Sequence, residues 1–319
     1  MATRIRQDDS GVVSERRLRV GLVLEPTGTD ISYWRAAYLG LERAVRELGI
    51  RGRVLTPAPK EGYVPSLSLL ARQKYDLVIG GGFFTAPAID RVATAFPETR
   101  FAIIDAHRDL AHRPNNVLDV EFSEEQAGYL AGHLAALVLT LSPGEEVISS
   151  VGGQRVPAVE RFIAGYQAGA RGANPRVTTL NSYTDDFLDR MKGRSVALSQ
   201  IAKGSRVVFQ VASECGIGAL EAAEEHGIWG IGVDVDQSHL GRHILTSAVK
   251  RLDMAVFDTI EELARGTLVT GGTSRFSLQN DGVGLGAISP EVPASIVVEV
   301  ERIRAELAAG TIAITTPAT

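Results

Sequence analysis

Short, continuously apolar runs alternate with helix-length amphipathic segments through most of the chain, and this alternation constrains the fold more than any other feature. Leu18-Arg-Val-Gly-Leu-Val-Leu24 opens it, a strand apolar on both faces, as a sheet covered on both sides requires. Trp34, Tyr38, Leu41, Val45 and Leu48 follow at three- and four-residue steps and stop at Gly49, the pattern of an amphipathic helix. Strands are expected again at Arg53–Pro57, Asp76–Gly80, Phe101–Asp105 and Val117–Phe122, and then the pattern breaks at Ser142-Pro-Gly144. It resumes with strands Glu146–Val151, Val177–Tyr183, Val207–Ala212 and Ile228–Val233. Strand–helix alternation implies right-handed βαβ units, and two consecutive runs predict two parallel sheets, with about ten strands between them.

The chain ends are less regular. Residues 1–17 read as a flexible polar tail, and Glu25–Asp30 as a loop in which Asp30 or Ser32 caps the first helix. A Gly-rich, hairpin-like segment runs from Gly271 to Gly286, and a last helix is expected with Ser289 as its cap and Pro290 at its first position.

Ligands of open α/β sheets bind beyond the carboxyl ends of the strands. The run Ile228–Val233 ends in Asp234, Asp236 and Gln237, and the next delivers Thr246, Ser247 and Lys250. These residues either line a site for a small polar ligand or, for Asp234 and Asp236, act as turn and cap groups. Aromatics at strand-to-helix junctions (Tyr33, Trp34, Phe187) and the strand-end carboxylates Asp105 and Asp234 suit a planar, hydroxylated ligand such as a nucleoside or sugar. Asp185, Asp186 and Asp189 around Phe187 read first as helix-capping residues. His107 and His112 flank loops and read as solvated.

Composition narrows the chemistry. A net charge of −5 and a pI near 5.8 argue against a nucleic-acid or anionic-membrane surface. The single cysteine, Cys215, excludes an internal disulfide and a multi-cysteine metal site, and reads as an inert buried thiol. The P-loop, dinucleotide, zincin and nucleophile-elbow patterns are all missing. No cofactor or metal is expected. The start of the chain has no secretory leader or lipid-bearing cysteine, so it reads as cytoplasmic as written and extracytoplasmic if a leader has been removed.

The ordered set of segments resembles the basic membrane protein family of solute receptors, which includes purine nucleoside receptors of ABC importers. It comprises Val20-Gly-Leu-Val, Ser32-Tyr33, Tyr38-Leu-Gly40, Phe96-Pro97, Phe101-Ala-Ile-Ile-Asp105 and Gly128-Tyr-Leu-Ala-Gly132. Val151-Gly-Gly153, Phe162-Ile-Ala-Gly-Tyr-Gln-Ala-Gly169, Gly232–Gln237 and Thr246–Lys250 complete it. The resemblance implies a type I periplasmic-binding-protein fold, α/β with two Rossmann-like lobes around a central ligand cleft. Residues 18–121 with 243–268 would form the first lobe, and 122–242 with 269–312 the second. Tyr33 and Phe187 match the aromatics that stack on the base, and Asp105, Asp234 and Lys250 the polar groups around the sugar. Ser213 stands at a glycine position of a pocket-lining turn. Trp34 replaces a base-reading asparagine.

The expected function is therefore a non-enzymatic receptor for a nucleoside-like ligand. Its partner would be an ABC permease or, as for cytosolic regulators in the family, a regulatory protein, with no direct nucleic-acid contact and no membrane insertion. The alternatives are an enzyme acting on nucleosides or sugars with Asp234 or Asp105 as general base, and an oligomeric scaffold with a vestigial cleft.

Overall fold

The computed structural model describes residues 17–25, 32–58, 60–108 and 113–314, with the side chain of Ser32 excluded. The expected tail, the Asp30 or Ser32 cap and His112 lie outside what is described.

The first sheet is built from β1 (Arg19–Val23), β2 (Arg51–Leu55), β3 (Leu77–Gly81), β4 (Arg100–Ile104) and β5 (Val117–Phe122). Three helices connect them: α1 (Ser32–Leu48), α2 (Val64–Arg72) and α3 (Ala86–Ala95). The chain then enters α4 (Glu124–Leu139) and a second sheet of β6 (Val147–Gly152), β7 (Thr178–Tyr183), β8 (Val207–Val211), β9 (Trp229–Asp234) and β10 (Ile244–Lys250). Its helices are α5 (Pro157–Ala173), α6 (Arg190–Ile201) and α7 (Ser213–Glu225). Every strand pair named so far is parallel. β3 and β8, central in their sheets, are buried at every position, which explains their unbroken apolar sequences.

After β10 the chain crosses back. α8 (Leu252–Arg265) packs on α1, and β11 (Thr273–Phe276) joins the edge of the first sheet parallel to β5. β12 (Val283–Leu285) then pairs antiparallel with β10, and α9 (Ala294–Ala308) packs on α4. The sheet orders are β11-β5-β4-β3-β1-β2 and β12-β10-β9-β8-β6-β7, the same order in each lobe.

This corrects four expectations. β10 belongs to the second sheet, not to a first lobe resuming at 243, and β11 belongs to the first sheet, not to a second lobe resuming at 269. The Gly-rich segment is no hairpin, because β11 and β12 pair with different sheets. The last helix begins at Ala294, and Ser289 instead accepts from the Glu291 amide at 3.4 Å within the turn before it. Ordinary turn chemistry around Gly and Pro looks the same in sequence whether the chain folds back or crosses over.

α4 explains the longest apolar run. It is buried almost all round, between α5, α9 and the second sheet. Gly128, Gly132, Gly165 and Gly169 let α4 and α5 meet backbone to backbone: a Cβ on Gly132 would lie 1.8 Å from the Tyr166 carbonyl oxygen, and one on Gly169 2.0 Å from that of Tyr129. Among the described residues no helix is long and apolar enough to cross a membrane.

Candidate functional site

The carboxyl ends of both sheets open into one cleft of about 570 Å³, lined mostly by apolar side chains. Seven of the residues singled out from the sequence line it: Tyr33, Trp34 and Asp105 from the first lobe, and Phe187, Ser213, Asp234 and Lys250 from the second.

Asp105 directly follows β4 and Asp234 ends β9; both have φ of +65°, and Ser213, at the start of α7, has φ of +52°. Non-glycine residues pay for this left-handed conformation, and such strain concentrates at sites where a side chain has to be aimed. Asp105 is buried, and its Oδ2 accepts from both the Tyr33 hydroxyl and Lys250 Nζ, the latter at 2.7 Å. Its Oδ1 is buried without a partner among the described residues. An unmet acceptor of this kind costs free energy until something donates to it. Lys250 Nζ also lies 3.5 Å from Asp234 Oδ1 and 3.9 Å from Glu124 Oε1, and 5.4–5.5 Å from the ring centroids of Tyr33, Phe122 and Phe162.

The electrostatics follow from that crowding. Burial opposes the Lys250 charge, but Asp105, Asp234 and Glu124 outweigh it and raise the ammonium above its ordinary range. Burial likewise opposes the Asp105 carboxylate, yet Lys250 and the Tyr33 hydroxyl hold it below its ordinary value. Glu124, fully buried at the start of α4, is pushed up by burial despite His107 and Lys250. His107 corrects the expectation of a solvated ring. It sits between Glu121 (3.5 Å) and Glu124 (3.2 Å), and although burial and Arg161 oppose protonation, the two carboxylates raise it to about 9.

The aromatics are placed by glycines. A Cβ on Gly153 would sit 2.2 Å from the Phe187 ring, and one on Gly81 2.2 Å from the Trp34 indole. Trp34 is only 3% exposed, so the indole is wall, not plug, and its ring meets Tyr33 edge-on at 4.4 Å. Phe187 precedes the helix that starts at Arg190. Asp189 caps that helix by accepting from the Met191 amide, and Asp186 accepts from the Leu188 amide and pairs with Lys192. Asp236 and Gln237 are likewise structural: Asp236 accepts from the Ser238 and Ala287 amides, and Gln237 binds Val233 and Gln210. Thr246 and Ser247 are spent on backbone groups, so of the stretch from 228 to 250 only Val233, Asp234 and Lys250 reach the cleft.

The structure adds Glu25, Phe83, Phe84, Gln154, Phe162 and Leu188 to the lining. Glu25, Phe83 and Gln154 lie just past the ends of β1, β3 and β6, so the strand-end rule would have found them if applied to every strand. Among the described residues, no group of histidine, cysteine or carboxylate side chains could hold a metal ion.

The profile of the Bmp family, described as "ABC transporter substrate-binding protein PnrA-like", matches residues 17–315. An uncharacterized lipoprotein of Pyrococcus horikoshii is 32% identical over 84% of this chain and 69% of its own. The "ABC transporter nucleoside-binding protein BmpA" of Lactococcus lactis is 27% identical over 84% of this chain and 81% of its own. Among solved structures, an ABC transporter solute-binding protein from Aeropyrum pernix superposes with a TM-score of 0.81 at 27% identity, covering 95% of this chain and 94% of that one.

Proposed function

The chain belongs to the Bmp family of PnrA-like ABC transporter substrate-binding proteins, and from that premise we propose that its cleft binds a nucleoside-like ligand and returns it unchanged. One observation carries this reading. Tyr33 and Phe187, aromatic rings from opposite lobes, share a cavity with Asp105, Asp234 and Lys250, and Asp105 keeps a buried acceptor without a donor among the described residues. A ring system between the aromatics would place sugar hydroxyls at the carboxylates, and a hydroxyl donating to Asp105 Oδ1 would satisfy it. Closing the lobes on such a ligand is the change a partner can sense.

An enzymatic role fits this arrangement less well. A general base works best with a pKa near the working pH; Asp105 is held below its ordinary value by Lys250 and Tyr33, and Asp234, which burial raises, faces the Lys250 ammonium at 3.5 Å. Delivery to an ABC permease is the favoured output over a cytosolic regulatory one, in keeping with the lipoprotein and ABC-transporter relatives.

Titration calorimetry with nucleosides, free ribose and nucleoside monophosphates, followed by chromatography of the released ligand, tests the proposal. A nucleoside Kd in the micromolar range or tighter, about −8 kcal/mol or better, with the ligand recovered intact, is expected. Nucleoside monophosphates should bind more weakly, because Glu25, Asp186 and Asp234 share the wall with a single, already paired ammonium. Absence of nucleoside binding, or recovery of a converted product, would sink the reading.

A further inference from the structure

The cleft lining includes large apolar side chains that nucleoside binding alone leaves idle. Asp105, Asp234 and Lys250 converge at one end, and Tyr33 reaches them through its hydroxyl. Trp34 lies edge-on to Tyr33 and against the Gly81–Gly82 turn, 3.2 Å from where a Cβ on Gly82 would sit. Phe83 and Phe84 follow at once, their rings 6.0 Å apart and T-shaped. They line the cavity yet remain 44% and 45% exposed, and Leu188, on the other lobe, is 57% exposed. Val156 and Glu25 line the same cavity. Large apolar side chains gathered in the open are costly unless something covers them, and covering them is worth about 25 cal/mol per Å².

We infer that the ligand carries an apolar substituent on its base, held between the Phe83–Phe84 pair and Leu188. The inference rests on the nucleoside reading, which sets the sugar on the aspartates and the base between Tyr33 and Phe187. The far edge of the base then faces Trp34 and the two phenylalanines. An asparagine at position 34 would offer that edge hydrogen bonds; the indole and the phenylalanines offer apolar surface. The substrate class is a nucleoside whose base bears an alkyl or aryl group.

Calorimetry of the full chain with adenosine and with N6-benzyladenosine tests this. The substituted nucleoside is expected to bind at least tenfold more tightly, about 1.4 kcal/mol. In the Phe83→Ala/Phe84→Ala double variant that preference should vanish, N6-benzyladenosine losing about tenfold more affinity than adenosine does. Leu188→Ala, on the opposite lobe, should erase part of the same preference. Equal affinities in the wild type overturn the inference and leave the nucleoside reading standing. A double variant that weakens both ligands alike also overturns it, since the rings would then serve closure of the lobes. Failure of both nucleosides to bind overturns the inference together with the reading beneath it.

Discussion

The two lobes repeat one device and then diverge. Asp105 follows β4 and Asp234 ends β9, strands at the same place in the two sheets, and both have φ of +65°. Two residues further on stand His107 and Asp236. In the first lobe the strand end opens into a charged cluster: Asp105 on Lys250 and Tyr33, and His107 between Glu121 and Glu124. In the second it closes into a hydrogen-bonded latch, with Asp236 and Gln237 holding backbone amides and Asp234 left 21% exposed. The neighbouring strands account for the asymmetry. β10 ends in Lys250, whereas its counterpart β5 ends in Phe122, so one cation from the second lobe serves the carboxylates of both. The same backbone geometry thus yields a buried ionic floor on one side and an accessible carboxylate on the other.

Removing the shared cation is the most direct way to break this comparison. Lys250→Met leaves Asp105 and Glu124 buried without their compensating charge, and losing one partner of a buried pair costs about 3–5 kcal/mol. Urea denaturation should show a loss of that size together with loss of ligand binding. A cost under about 1 kcal/mol, the level of a surface pair, would mean that the cluster is not the compensated floor described here.

His107 sharpens the contrast through pH. Its folded value of about 9 exceeds the ordinary 6.5 because Glu121 and Glu124 outweigh burial and Arg161. The folded state therefore holds this proton more tightly than the unfolded chain does. The resulting stability is full below about pH 6.5 and is lost as pH rises through 9, an effect on the order of 3 kcal/mol. Stability curves of the wild type and His107→Gln should converge toward pH 10. Parallel curves would show that His107 is not the titrating group.

Between the two aspartates the difference should be smaller but readable. Asp105→Asn gives up two charge-assisted hydrogen bonds, each worth about 1.5–3 kcal/mol, within a cluster that can partly rearrange, so a net cost of about 2 kcal/mol is expected. Asp234→Asn, with Lys250 at 3.5 Å and solvent nearby, should cost less than about 1 kcal/mol. Equal costs in denaturant would erase the asymmetry.

Much of this was readable from residue order, and the failures share a cause. Apolar runs such as Leu77–Gly81 and Val207–Val211 announce buried parallel strands because both faces are covered. The cleft residues were findable because ligand sites sit past strand ends. Sheet membership after Lys250 was not, because β11 and β12 are four- and three-residue edge strands whose partners are chosen by tertiary packing. Nor could the sequence show that His107 meets Glu121 and Glu124, a pairing made only where β5 runs into α4. Asp234 and Asp236, two residues apart, read alike as ligand or cap, and only the backbone orientation separates them.

That last pair yields the smallest expected effect and the cleanest control. Asp236 accepts from the Ser238 and Ala287 amides at 3.0 and 3.2 Å, one within its own turn and one in the segment after β12. Asp236→Ala removes both, and with Gly286 packed 2.9 Å from its carboxyl carbon at the point where a Cβ would stand, a small gap opens beside the turn. Loss of an exposed cap of this kind costs about 1 kcal/mol. Ligand affinity should stay within twofold, because Asp236 does not line the cleft. Paired calorimetry of Asp236→Ala and Asp234→Asn should therefore show opposite behaviour, stability lost with affinity kept in one and affinity lost with stability kept in the other. A fall in affinity for Asp236→Ala would mean that the latch and the carboxylate before it act as one unit.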